Sequence, residues 1–221
     1  VRENMKLSTL YYKLKTDRPL KKSQIPYLRG YILNNHNNEE LHNHSGNGYI
    51  YTYPKIQYKI VGGNGHIIGI EGGAKILGKI ALETKQLELN HELYDIVDGH
   101  IILKNEDFGI CESKKTYKFI SPWLALNEKN YKYYKDLDDI GKKEKLEKIL
   151  IGNILSMSKY LNYTADEKIV ANILNYKEFT VNYKGNSFIG IIGEFTINFD
   201  IPNLFGIGRK VSKGFGTIMQ I

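Results

Sequence analysis

The stretch Gly206-Ile-Gly-Arg-Lys-Val-Ser-Lys-Gly-Phe-Gly-Thr-Ile-Met-Gln-Ile221 governs how the rest of the chain is read. Two Gly-x-Gly pairs, Gly206/Gly208 and Gly214/Gly216, bracket five residues that include Arg209, Lys210, Ser212 and Lys213. Glycine lets a backbone turn sharply and lets a ligand approach bare N–H groups. Arginine and lysine in the same loop add positive charge. From Phe215 onward the residues alternate as in a final strand. A basic, glycine-rich loop feeding a strand suits contact with a phosphate backbone. The spacing is not that of a P-loop, since no Gly-Lys-Ser/Thr follows four spacers and no helix follows. It is not a dinucleotide fingerprint either, because the spacing after the first pair is wrong.

Working back from the loop, the chain reads as two similar halves. Residues 7–15 alternate as a first strand, which Pro19 ends. Ser23-Gln-Ile-Pro26 opens a helix to about Asn34, with Ile25, Leu28, Ile32 and Leu33 on one face. Residues 34–48 form a polar loop. Residues 49–61 and 66–71 read as strands about the turn Gly62-Gly63-Asn64-Gly65, and 74–82 as a short helix. Residues 87–97 and 100–111 read as strands about Asp98-Gly99. The second half has a strand and Ser-Pro-Trp corner over 117–126, then a helix over 142–161. That helix carries an apolar stripe of Leu146, Ile149, Leu150, Ile154, Leu155 and Met157. Strands over 176–183 and 188–199 flank Lys184-Gly185-Asn186. Both halves fit a ferredoxin-like βαββαβ plan, with the glycine loop replacing the second helix of the second half. The expectation is an α+β protein of tandem ferredoxin-like (RRM-like) domains, 1–112 and 113–221, the first carrying the polar loop over 34–48 and the second the basic glycine-rich loop.

The pattern Gly-x-Gly-x5-Gly-x-Gly near the C-terminus resembles the signature of the RAMP superfamily of CRISPR-associated proteins. More narrowly, the chain is similar to the repeat-processing endoribonucleases of that superfamily. Three further segments resemble that family in the same order: Tyr53-Pro-Lys-Ile-Gln-Tyr-Lys59, Phe119-Ile-Ser-Pro-Trp-Leu-Ala-Leu-Asn-Glu-Lys-Asn-Tyr131 and Ile149-Leu-Ile-Gly-Asn-Ile-Leu-Ser156. The resemblance implies the tandem fold and CRISPR repeat RNA as substrate. It implies cleavage within each repeat, leaving a 5′-hydroxyl and a 2′,3′-cyclic phosphate. It also implies effector-complex proteins as further partners, and a catalytic histidine around the first helix.

Composition agrees with an anionic partner. The 221 residues hold 31 Lys+Arg against 24 Asp+Glu, a formal net charge of +7, and a charge of this sign favours nucleic acid. Seventeen tyrosines supply rings that stack on bases or simply populate strands. The single cysteine, Cys111, rules out an internal disulfide and a cysteine-based zinc finger. It fits a reducing cytoplasm, and no apolar run reaches membrane-spanning length. The expected oligomeric state is a monomer or homodimer.

RNA cleavage without metal needs a base for the 2′-hydroxyl, charge to stabilise the phosphorane and an acid for the 5′-oxygen. Histidine suits the proton steps near neutral pH, and lysine or arginine the charge. His42 and His44 lie together in the polar loop, and the family places its catalytic histidine in this region. A solvated loop is the bland alternative, and chelation by His-x-His a second, with no carboxylate or cysteine at zinc spacing nearby. His36 is a weaker third candidate. Alternation puts Tyr53, Lys55, Gln57 and Lys59 on one strand face, so Lys59 joins the catalytic set and Lys55 the RNA contacts, unless both merely decorate a solvent face. Arg29 on the first helix adds a phosphate contact. RNA binding is assigned to Arg29, Lys55, Gly206, Gly208, Arg209, Lys210, Ser212, Lys213, Gly214 and Gly216, and neither cofactor nor metal is expected. Asp136-Leu-Asp-Asp139 reads as a helix start, not a metal cluster. Two other classes compete: a non-cleaving RAMP-type RNA-binding subunit of a CRISPR effector complex, and a general RNA-binding protein. The histidine loop separates the enzyme from the first, and the missing aromatic RNP motif argues against ordinary RRM stacking.

Overall fold

The strands alternate and the helices carry one apolar stripe each, so each half of the chain can bury only one face of its sheet, and each does. The computed structural model describes residues 5–36 and 52–221. His42 and His44 lie outside the described residues. The chain divides into two compact units: Lys6–Glu106 with Ser212–Gly214, and Asp107–Val211 with Phe215–Ile221.

The N-terminal unit holds β1 (Met5–Thr16), α1 (Ile25–Asn35), β2 (Ile56–Val61), β3 (Asn64–Ile70), α2 (Gly72–Glu83), β4 (Gln86–Leu89) and the first part of β5 (Glu92–Phe119). Its strands run in the order β2-β3-β1-β5. Leu10, Tyr12 and Leu14 of β1 pack with Ile25, Leu28, Ile32 and Leu33 of α1 and with Leu77 and Ile80 of α2. The buried face of α1 is therefore the one its 3.6-residue spacing predicts. The Asp17 N–H meets the Asp95 carbonyl at 3.0 Å, and the Thr9 hydroxyl meets the Lys104 carbonyl at 3.3 Å. β5 thus runs antiparallel beside β1, in the slot of the fourth ferredoxin-like strand.

Asp98-Gly99 is not a turn. β5 passes straight through it, and Gly99 lies where a Cβ would come within 3.2 Å of the Tyr12 ring. The reversal sits earlier, at Asn90 and His91, both left-handed at φ 54° and 65°, and joins β4 to β5 with Leu89 opposite Glu92. Two consecutive left-handed residues make a tight hairpin turn, and asparagine tolerates that conformation. The early strand also begins later than expected, at Ile56.

The C-terminal unit continues β5 and adds α3 (Glu128–Tyr134), α4 (Asp139–Tyr160), β6 (Ala171–Tyr183), β7 (Asn186–Asp200) and β8 (Ile218–Gln220). β8 and β7 both pair with β5, and β6 pairs with β7, giving the ferredoxin-like order β8-β5-β7-β6. β5 takes up β7 at Gly109, and a register shift follows between Ile110 and Lys115. Asp138 caps α4 by accepting the Gly141 N–H at 2.8 Å, the helix start that the acidic run signals. Leu146, Leu150, Ile154 and Met157 are buried, whereas Leu155 faces outward. Successive helical residues lie about 100° apart, and Leu155 falls outside the arc that Leu146, Leu150, Ile154 and Met157 bury. α3 is a seven-residue helix capped by Asn127, too short to leave a periodic signature. The protein is a tandem of ferredoxin-like units, and the second has a loop with a 3₁₀ turn, Val211–Lys213, where the first has α2.

Candidate functional site

The two Gly-x-Gly pairs meet each other. Gly206 bridges Thr217, and the Ile207 N–H donates to the Gly216 carbonyl at 2.9 Å. The Gly216 N–H donates to the Pro122 carbonyl at 2.8 Å. A Cβ on Gly216, whose φ is +63°, would collide with the Ile207 carbonyl oxygen, and one on Gly206 would collide with Val211. These pairs form the neck of a closed loop, and the chain can cross itself there only without side chains. Gly208, at φ +89°, lets the neck lie against the corner: its Cβ would come within 2.7 Å of Trp123 Nε1, which donates to Asn153 Oδ1 at 3.0 Å. The segments that resemble the repeat-processing family, around Trp123 and Asn153, therefore brace the glycine neck.

Above the neck the loop presents its charge. Arg209 donates from Nη1 to the Leu126 carbonyl at 3.2 Å and sits 5.8 Å from the Phe188 ring. Lys210, left-handed at φ 56°, places its ammonium 5.0 Å from Phe188 and 5.3 Å from Tyr183. Partial burial lowers its pKa, and the neighbouring charges of Arg209 and Lys184 lower it further. Sequence reasoning missed Tyr183, Lys184 and Phe188. They belong to the tip of the β6–β7 hairpin, where Lys184 (φ 50°) and Gly185 (φ 76°) make the turn. The turn itself was legible as Lys-Gly-Asn, but its proximity to residues 209–210 is set by tertiary packing. Three cations within one field, with two aromatic rings beside them, attract polyanions and favour stacked bases.

Ser212, Lys213 and Gly214 belong to the N-terminal unit. Gly214, at φ +83°, packs where a Cβ would lie 2.6 Å from Ile25 Cδ1 and 3.1 Å from the Tyr58 carbonyl. Ser212 and Lys213 are half-buried. Arg29 of α1 is also half-buried, and its charge opposes the burial that raises the Tyr58 pKa. The Tyr58 hydroxyl is buried and has no hydrogen-bond partner among the described residues. Arg29 and Gly214 are thus both brought to Tyr58, an association the sequence did not signal. Lys55 is exposed at the entry to β2, where its carbonyl accepts the Ile70 N–H at 2.8 Å.

Lys59 differs from the exposed lysines. Its side chain is 1% exposed and donates to Gln57 Oε1 at 3.0 Å. Burial pushes its ammonium down to about 7. The sequence put Gln57 and Lys59 on one polar face, and both are buried, so that face is covered and not a solvent face. Cross-strand register places His66 opposite both Lys59 and Lys13. Burial, then the Lys13 charge, hold the His66 imidazole below its usual range. His36 ends α1 with Nδ1 3.4 Å from Glu83 and Nε2 3.4 Å from the Thr84 hydroxyl, which ties it to the end of α2.

Comparison with known proteins agrees with this geometry. Residues 5–107 match the family description Cas6b N-terminal domain, and residues 109–221 match Cas6b C-terminal domain. The chain is 59% identical over 145 residues to an uncharacterized protein of Methanocaldococcus jannaschii, an overlap of 66% of this chain and 99% of that one. A crystal structure of Cas6b superposes with a TM-score of 0.92 at 39% identity, covering 98% of this chain and 100% of the other. A second, described as the CRISPR RNA processing endoribonuclease Cas6b, superposes with a TM-score of 0.80 at 36% identity and the same coverage. With both halves matched in order and the glycine neck braced as the fold requires, the chain belongs to the Cas6b family.

Proposed function

We propose that this chain is an endoribonuclease that binds CRISPR repeat RNA and cuts precursor transcripts within the repeat by a metal-independent mechanism. The observation that carries the reading is the whole-chain likeness to a Cas6b described as a CRISPR RNA processing endoribonuclease. The basic loop and the paired histidines supply the chemistry. In this mechanism the 2′-hydroxyl attacks the adjacent phosphate, the P–O5′ bond breaks, and the products carry a 2′,3′-cyclic phosphate and a 5′-hydroxyl. His42 and His44 exchange the two protons as base and acid. Lys59 supplies positive charge to the phosphorane from a low-dielectric setting, where such charge is weakly screened. Arg29, Lys55, Arg209, Lys210, Ser212 and Lys213 hold the phosphate backbone, and Gly206, Gly208, Gly214 and Gly216 fix the loop that presents it.

The deciding experiment is cleavage of repeat RNA in EDTA, with a matched substrate carrying 2′-deoxyribose on the nucleotide 5′ to the cut. The expected outcome is full cleavage of the ribose substrate in EDTA and none of the deoxy substrate. An obligatory divalent cation, or cutting of the deoxy substrate, would overturn the 2′-hydroxyl mechanism. Binding of repeat RNA with no cleavage under any condition would favour a non-cleaving RNA-binding subunit.

A further inference from the structure

We propose that a groove between α1 and β4 takes one unstacked nucleobase of the bound RNA, a base that carries an exocyclic amine. The inference rests on the RNA-binding function proposed above and adds a base-recognition site to it. The groove has a volume of about 510 Å³ and is lined wholly from the N-terminal unit, a size that suits a small organic group. Along α1, Tyr27, Gly30, Tyr31 and Asn34 recur at i, i+3, i+4 and i+7 and so share one side of the helix. All four line the groove, while Leu28 and Ile32 are buried in the core. Facing them, β4 buries Leu87 and Leu89 and turns Gln86 and Glu88 outward into the same lining. Gly30 keeps the space open. A Cβ there would meet nothing within 4 Å, and its φ is not left-handed. Neither a close approach nor a special backbone angle calls for glycine in the middle of this helix, where glycine is the poorest former after proline.

The lining chemistry selects a base over a phosphate. No lysine or arginine lines the groove, and with His91 neutral its charge comes from Glu88 alone. A carboxylate repels phosphate. Tyr27, 45% exposed, and Tyr31 offer ring faces on which a base stacks. Two of the lining amides are already committed: Asn35 donates to the Tyr31 carbonyl at 2.9 Å, and Gln86 to Asp95 Oδ1 at 2.7 Å. The Asn34 and Asn90 amides and the Glu88 carboxylate have no side-chain hydrogen-bond partner among the described residues. An amide presents a donor beside an acceptor, as the edge of a base does, and a carboxylate accepts from an exocyclic amine. Adenine, cytosine and guanine supply that amine. Uracil sets a carbonyl on each side of its one N–H, and these oppose Glu88.

Saturation-transfer difference NMR with adenosine, cytidine and uridine on the full chain reads the groove directly, because nucleosides carry no phosphate for the basic loop. Adenosine and cytidine should bind saturably at millimolar concentration, and uridine at least about tenfold more weakly. Gly30→Leu fills the groove from an unobstructed position and should abolish nucleoside binding, with melting curves on the same sample to show that it folds. Tyr27→Ala should weaken adenosine at least about fivefold. Glu88→Gln should bring uridine within about threefold of cytidine, since an amide donates to a carbonyl as readily as it accepts from an amine. In the RNA arm, Gly30→Leu should weaken repeat RNA binding by between about fivefold and a hundredfold. A wild type without saturable nucleoside binding overturns the proposal, as does nucleoside binding that neither Gly30→Leu nor Tyr27→Ala weakens. Unchanged repeat RNA affinity in the folded Gly30→Leu variant also overturns it, and gives the groove to free nucleosides. A wild type that takes nucleosides in the groove and holds no repeat RNA defeats the endoribonuclease reading instead, and leaves the groove its ligand class.

Discussion

The two units share the βαββαβ plan and part at one element. In the N-terminal unit the second crossover is α2, which buries Gly73, Ala74, Ile76, Leu77, Ile80 and Ala81 against its sheet. In the C-terminal unit the same place holds the glycine-necked loop, which buries Ile207 and Val211 and leaves Arg209, Lys210, Ser212 and Lys213 at least partly exposed. A helix spends a whole face on the core and satisfies its own backbone. A loop must find partners for its N–H and C=O groups elsewhere, here from Pro122 and its own far side. Giving up the helix leaves side chains free to meet a ligand, and the glycines are the structural condition for doing so. The proposed division of labour follows: chemistry from the N-terminal unit, RNA retention from the loop.

The largest expected effect breaks the neck itself. Gly216→Val forces a β-branched side chain to φ +63° and into the Ile207 carbonyl, and should cost about 4 kcal/mol or more. Gly152→Ala, on α4 with nothing within 4 Å of its Cβ, should gain about 1 kcal/mol from helix propensity alone. Denaturant titration of both variants measures the contrast. Equal stabilities would mean the neck tolerates side chains and the glycines serve another purpose.

Next comes the chemical step. His42→Ala and His44→Ala should each slow single-turnover cleavage by at least about a hundredfold while leaving RNA affinity unchanged. Normal rates in both single variants and the double variant would remove the chemistry from this segment. Replacing Arg209, Lys210 and Lys213 together with alanine should act the other way, weakening binding more than the chemical step. For single-stranded RNA, the slope of log K against log salt should flatten by about 0.7 for every phosphate that the variant no longer neutralises. An unchanged slope in the folded triple variant would move RNA retention off the loop.

Periodicity made most of the architecture legible. The four buried positions of α1, the Gly62–Gly63 turn and the Lys184–Gly185 turn are local consequences of local residues. The Asp98-Gly99 reading failed because the same dipeptide serves a turn or a flat passage, and the packing of Gly99 under Tyr12 decides which. The loop's cations were legible as residues, but their rings were not: Tyr183 and Phe188 arrive from a hairpin more than twenty positions away. Alternation gave the face of Lys59 and could not give what covers it. Burial, which alternation omits, gives this lysine, placed by the sequence in the catalytic set, a pKa of about 7.

That lysine supports the smallest and most discriminating prediction. Its ammonium is costly inside the protein, so its folded pKa lies below its unfolded value of about 10.4. Between the two values the unfolded chain holds the proton and the folded chain does not, so this group makes stability rise as pH rises from about 7 to about 10. Proton linkage fixes that sign, because the state that binds more protons, here the unfolded one, is favoured as pH falls. Below about 7 both states are charged and the folded state carries the full burial cost. Lys59→Met removes that cost and leaves Gln57 without this donor, a loss of about 1–3 kcal/mol that offsets part of the gain. The variant should melt a few degrees above the wild type at pH 7, with the gap closing toward pH 10. It should also cleave more slowly, because a buried charge retained at a cost in stability is retained for work elsewhere. Melting curves across pH and single-turnover rates on the same samples give both signs. A variant less stable at pH 7, or equally fast, would make Lys59 an ordinary packing residue and leave catalysis to the histidines.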